Sequence, residues 1–307
     1  MDIFLQQIIN GLTLGSVYAI VALGYTMVYG IIQLINFAHG ELVMIGAMVA
    51  FSVINALAGT DLPPVLIVLA GVLVAVPACM LVGFAMERVA YRPLRGAPRL
   101  APLITAIGIS IILQHVALLM WSRSPLAFPQ IIPFVRFHIG GAIISGVQIA
   151  IILTSVLMMG GLTLIVYRTK LGIAMRATSQ NPQVAGLMGI NIDRIIAFTF
   201  VVGAALAAVA GVMVGTYYGI AHYSMGALLG MKAFSAAVLG GIGNLAGAML
   251  GGILLGVVEA LGAGYIGDLT NNVFGSNYQD VFAFLVLIGV LVFRPSGLLG
   301  ERVGDRA

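Results

Sequence analysis

The residues of this sequence that could do chemistry are few and stand in apolar surroundings. Asn36, His39 and Glu41 fall together in INFAHGE, residues 35–41, within about fifty residues that otherwise carry no charge. Ionisable groups in such a setting mark candidate functional sites. One His and one Glu fall short of a metal ligand set. The other reading is a helix start, with Asn36 as cap and Glu41 complementing the helix dipole. Lys232 and Glu259 are the second candidate pair. A lipid-facing Lys costs about 2.5–3.5 kcal/mol at a bilayer centre, so a compensating carboxylate is expected. Glu259 is the nearest in sequence by hairpin logic. The expected fit is imperfect, because at ~1.5 Å per residue Lys232 stands about 12 Å from Gly240, whereas Glu259 stands about 22 Å from Asn244. Lys232 reaching the interface, or meeting the carboxylate of a passing solute, stays open beside the pair.

A third pattern joins Gly11, Gly15, Tyr18, Ala22, Tyr25 and Tyr29 at heptad spacing, which places them on one helix face. Such a face of small residues and phenols either packs against neighbours or lines a solute path. Catalytic signatures are missing: there is no GxxxxGK[ST], HExxH or GxSxG, and the spacing of Gly226, Gly230 and Lys232 is wrong for a phosphate cradle. No cofactor or enzymatic role is implied, and ATP-driven work would have to come from partners.

The elements that must position these residues are membrane helices. Charged residues make up 8% of the 307, against roughly 25% in a soluble domain. Hydrophobic residues reach 61%, and the mean hydropathy is +1.13. Eleven of the fourteen Lys and Arg form three clusters. These are Arg88, Arg92, Arg95 and Arg99; Arg168, Lys170, Arg176 and Arg194; and Arg294, Arg302 and Arg306. The positive-inside rule puts all three in the cytoplasm. They signal topology and not nucleic-acid binding, since no aromatic-interleaved basic face accompanies them. The lone Cys79 lies in an apolar run, and no positively charged region precedes Arg88, so no cleavable signal peptide is expected.

Apolar stretches near the ~20 residues a crossing needs predict spans at about 9–29, 41–58, 65–84, 103–121, 147–167 and 195–217. Residues 88–99 read as an inner loop closed to helix by Pro93 and Pro98. Residues 122–146, with Pro125, Pro129 and Pro133, read as an outer loop, and 168–194 as a cytoplasmic one. Parity then requires residues 226–262 to break at Gly240, Gly241 and Gly243 into a descending and an ascending helix, before a last crossing at 281–293. The expected fold is an all-α integral membrane bundle of roughly eight or nine segments with broken or re-entrant helices. It forms one permease domain over residues 1–307, with the N-terminus outside. Gly203, Ala207, Gly211 and Gly215, and Gly247 with Gly251, read as close helix packing.

In the second basic loop, Asn181 followed by Pro182 is the order of an N-cap and first helical position, and Gly189 reads as a C-terminal glycine. The helix so bounded is short and leaves Val184, Leu187 and Met188 unburied by its own fold, so it must dock on its own membrane domain or on a cytoplasmic partner.

The chain resembles the H-type permease subunit of the Liv importer for branched-chain amino acids. The resemblance rests on GLTLGSVYAIVALGYTMVYG from Gly11, INFAHGE from Ile35, YRPLRG from Tyr91, GIAMRATSQNPQVAGLMGIN from Gly172, MKAFSAAVLGGIG from Met231 and RPSGLLG from Arg294. It implies a second, M-type permease, two cytoplasmic ATPases, a periplasmic amino-acid-binding protein and a place in the inner membrane. It also implies an ATPase-coupling segment around Arg176, Asn181, Pro182, Val184, Leu187, Met188 and Gly189. Related urea and amide permeases share much of INFAHGE and GGIG, so a urea or amide cargo remains an alternative. A stand-alone secondary transporter is the rival class, suggested by the echo of Asn36-Phe37-Ala38 in Asn244-Leu245-Ala246.

Overall fold

The computed structural model describes residues 2–98, 100–131, 135–139, 141–270 and 278–300. Arg99, Pro133, Arg302 and Arg306 of the sequence reading lie outside the described residues. Helices make up 79% of the described residues. They are α1 (Asp2–Ile32), α2 (His39–Leu57), α3 (Pro64–Ala85), α4 (Leu100–Met120), α5 (Gly146–Arg168), α6 (Lys170–Gln180), α7 (Pro182–Leu187), α8 (Ile192–Tyr218), α9 (Met225–Gly240), α10 (Leu245–Leu269) and α11 (Gln279–Phe293). Among the described residues, seven helices are long and apolar enough to cross a membrane, while α9 and α11 are shorter apolar helices. The chain is an all-α polytopic membrane protein.

Burial separates centre from rim: 83% of the apolar window of α1 and 72% of that of α8 are inside the bundle, against 11% for α4 and 22% for the span starting with α3. The centre is set by close helix approach. A Cβ at Gly11 would stand 2.6 Å from Val257 Cα, and one at Gly15 would stand 2.7 Å from Ile253 Cα. Only glycine lets α1 and α10 cross at that separation, in the absence of a hydrophobic drive between helices in lipid. The ladder on α8 packs likewise: Gly211 faces Val43 and Ala47 of α2, and Gly215 faces the Phe128 ring.

Side-chain caps set several helix starts. Ser145 and Gln148 close a capping box at α5, and Thr169, Asn191 and Asn244 each accept a backbone N–H at the first turns of α6, α8 and α10. Between α9 and α10 the chain turns through Gly241 and Gly243 at φ +108° and +97°, a region that L side chains rarely adopt.

The structure differs from the sequence expectation in four places. Residues after α3 continue as a π-helix, Met86–Tyr91, and a 3-10 turn, Arg92–Leu94, because Pro93 occupies an early position of that turn where no backbone donor is needed. The 168–194 segment holds a second helix, α6, in addition to the short α7. The 122–146 segment carries strands: β1 (Leu126–Ala127) pairs antiparallel with β4 (Ile220–Ala221), and β2 (Arg136–Ile139) with β3 (Ala142–Ser145). Asn36 is not the cap of α2, whose N-cap position is Ala38; its Oδ1 accepts from Ala38 N–H at 3.1 Å instead.

Candidate functional site

The tyrosine face of α1 looks into the bundle, and at Tyr18 it meets charge. Tyr18 Oη donates to Glu259 Oε2 at 3.0 Å, and Lys232 Nζ donates to Glu259 Oε1 at 2.7 Å. Tyr18 and Glu259 are each 1% exposed and Lys232 is 5% exposed, so the pair is closed off on α9 and α10. Asp280, at the start of α11, was not foreseen: its Oδ1 lies 2.7 Å from the same Nζ. Among the described residues it forms that ion pair without the alignment of a hydrogen bond.

INFAHGE builds a separate group. Asn36 Oδ1 accepts from Tyr91 Oη at 2.8 Å, tying the α1–α2 connection to the π-helical extension of α3. His39 sits between Gly24 of α1 and Gly203 of α8, with the Tyr25 ring edge-on at 4.8 Å. Gly24 is eight residues from the end of α1 at Ile32, so α2 begins about 12 Å inside the end of its neighbour. Glu41 is fully buried, and its Oε1 accepts from Ser110 Oγ at 2.9 Å and Gln114 Nε2 at 2.8 Å on α4. Phe234 of α9 packs on this second group, with its ring 5.9 Å from that of Tyr25 and 5.6 Å from that of Phe37. Tyr29 belongs to neither. It lines a cleft of about 1210 Å³ with Gly30, Arg176, Gly243, Asn244 and Arg294, at the end of the bundle that carries the basic clusters. Gly240, Gly241 and Gly243 turn at this cleft, where Leu298 and Leu299 N–H donate to the carbonyls of Leu239 and Gly240.

At that same end α7 is bounded on both sides. Asn181 Oδ1 accepts from Val184 N–H at 3.1 Å with Pro182 following the cap. Gly189 at φ +85° closes the helix: Gly189 N–H donates to Gly186 and Ile190 N–H to Ala185, the two bonds of a Schellman motif. Leu187 and Met188 are 87% and 79% exposed, and Val184 is 52% exposed. Arg176 is on α6, donates to the Val166 carbonyl and lies over the Tyr167 ring at 5.3 Å, so it secures α6 to the end of α5. A latch that sequence reasoning missed adjoins α7. Arg92 and Arg95 both pair with Asp193 in the first turn of α8, and Arg95 also pairs with buried Glu87. Basic clustering signals the arginines, but nothing in the sequence pairs them with Asp193.

The family described as "Branched-chain amino acid transport system / permease component" matches residues 7–291. The chain belongs to this permease family. The permease is 52% identical over 304 residues to the high-affinity branched-chain amino acid transport system permease protein BraD of Pseudomonas aeruginosa, covering 97% of this chain and 96% of that one. It is 46% identical over 304 residues to the corresponding permease protein LivH of Escherichia coli K12, with the same shares. A more distant relative, a probable LivH of Methanocaldococcus jannaschii, is 27% identical over 317 residues, covering 97% of this permease and 94% of that protein. No solved structure matches.

Proposed function

We propose that this permease is one membrane-spanning subunit of an ABC importer that carries Leu, Ile or Val across the inner membrane. The observation that carries the reading is the 52% identity to BraD over 97% of the chain. All 307 residues form one permease domain, which performs no hydrolysis itself. A second, M-type permease completes the path, two cytoplasmic ATPases supply ATP hydrolysis, and a periplasmic binding protein delivers the cargo.

Eight or nine membrane segments follow if α9 and α10 form a broken, re-entrant pair and α11 is the last crossing, with the N-terminus outside. Non-helical backbone at depth is tolerated where it lines a cavity, and the Gly240–Gly243 turn does border the cleft. Tyr18, Tyr25, Tyr29, Asn36, His39, Glu41, Lys232 and Glu259 line or gate the path. Arg176, Asn181, Pro182, Val184, Leu187, Met188 and Gly189 form or brace the ATPase-coupling segment; the exposed apolar tip of α7 on a capped, two-sided turn suits it to a partner groove. Nucleotide-dependent affinity of the ATPases for two arrangements of the bundle would shift the population between outward and inward openings.

Purification of the chain with the candidate second permease and ATPases, followed by ATPase assay with leucine-loaded binding protein, tests the reading. Hydrolysis stimulated by leucine is the expected result. A complex stimulated by urea or acetamide and indifferent to leucine would overturn it.

A further inference from the structure

The charges around Lys232 do not balance. One cation faces two carboxylates, Glu259 on α10 and Asp280 on α11, together with the phenol of Tyr18 on α1. Glu259 takes the aligned bonds, from Lys232 and from Tyr18. Asp280 Oδ1 is buried and lies 2.7 Å from Nζ without an aligned hydrogen bond among the described residues, while the Asp280 side chain as a whole is 32% exposed against 1% for Glu259. A partly exposed carboxylate beside a buried ion pair suits a cationic donor arriving from outside.

Beside the ions lies an apolar void of about 10 Å³, lined by Leu14, Val17, Val214 and Leu229 and sharing Tyr18 with the charged cluster. It is room for about one water. Leu229 stands three residues before Lys232 on α9, which puts the aliphatic wall and the ammonium on one helix face.

We infer that this cluster is the recognition site for an aliphatic amino-acid zwitterion, a refinement that rests on the importer reading above. The α-ammonium takes Asp280, the α-carboxylate takes Lys232 in place of one of its carboxylates, and the branched side chain enters the void between Leu14, Val17, Val214 and Leu229 as α1 and α9 part. The zwitterion adds no net charge: its ammonium gives Asp280 a cation of its own, while its carboxylate takes the place of Asp280 beside Lys232. A neutral amide or urea could hydrogen-bond both ions but brings no charge to either, so the site favours amino acids over those cargoes.

The test uses vesicles holding the whole complex with its binding protein, and labelled leucine and valine. Asp280→Asn should assemble normally yet lower leucine uptake about tenfold, the loss of one charge-assisted contact, and Asp280→Glu should keep most of it. Leu229→Trp, which fills the void, should lower leucine uptake relative to valine about tenfold. Wild-type uptake by Asp280→Asn, or an equal loss of leucine and valine in Leu229→Trp, would overturn the inference while leaving the importer reading intact. If wild-type vesicles took up neither amino acid, the importer reading itself would fall, and this inference with it.

Discussion

Gly251 of α10 rests against Gly240 at the end of α9: a Cβ at Gly251 would lie 2.9 Å from Gly240 Cα. From that contact Lys232 is eight residues up one helix and Glu259 eight residues up the other, 240 to 232 and 251 to 259. Each climbs about 12 Å. The offset expected from counting at Asn244 vanishes because the first turns of α10 run alongside the end of α9 instead of rising from it.

That register makes the pair a unit. Lys232→Met should leave Glu259 buried without its cation, and Glu259→Gln should leave Lys232 with only half-exposed Asp280; losing one partner of a buried pair costs about 3–5 kcal/mol. The double variant should recover about 0.5–3 kcal/mol of the summed loss in thermal unfolding of the solubilised protein. Strictly additive losses would show that the two charges act separately.

Leu187 and Met188 have almost no intramolecular burial to lose. Their joint replacement by Asp should therefore leave membrane insertion and melting unchanged while abolishing co-purification of the ATPases. Normal recovery of the ATPases with that variant would remove α7 as the docking helix.

Asp193 links the extension of α3 to the first turn of α8, next to α7. The ion pairs are partly exposed, with Asp193 at 42%, so Asp193→Asn should change stability by no more than about 1 kcal/mol. Leucine moved per ATP hydrolysed should nevertheless fall, because motion at α7 would no longer pull on α3. An unchanged transport-to-hydrolysis ratio would reduce the latch to packing.

Topology is checked by cysteines at Asp2 and Asp305 in a Cys79→Ala background. An impermeant maleimide should reach the first from outside and the second only from inside. Reaction of both from one side would mean that α9, α10 and α11 cross a different number of times.

The long helices were legible because apolar runs of membrane length leave few alternatives, and the α9–α10 break because three glycines interrupt one of them. Helix α6 was not: LGIAM and ATSQ around Arg176 are too polar for a span and too short to announce themselves, and the helix exists because Thr169 caps it and Arg176 ties it to Val166. Pro93 misled, since a 3-10 turn tolerates what an α-helix interior does not. Of the candidate residues, Tyr18, Lys232 and Glu259 converge and Asn36, His39, Glu41 and Tyr25 form a second group, but Asp280 and Tyr91 could not be placed with them. Contacts between helices distant in sequence depend on rotation and register that hydropathy does not encode.

The most direct measurement is accumulation of labelled leucine in vesicles reconstituted with this permease, its second permease, the ATPases and leucine-loaded binding protein. Accumulation should require ATP on the ATPase side and should stop when the ATPases are omitted. Accumulation by the permease alone, driven by an ion gradient without nucleotide, would contradict the account and make the chain a secondary transporter.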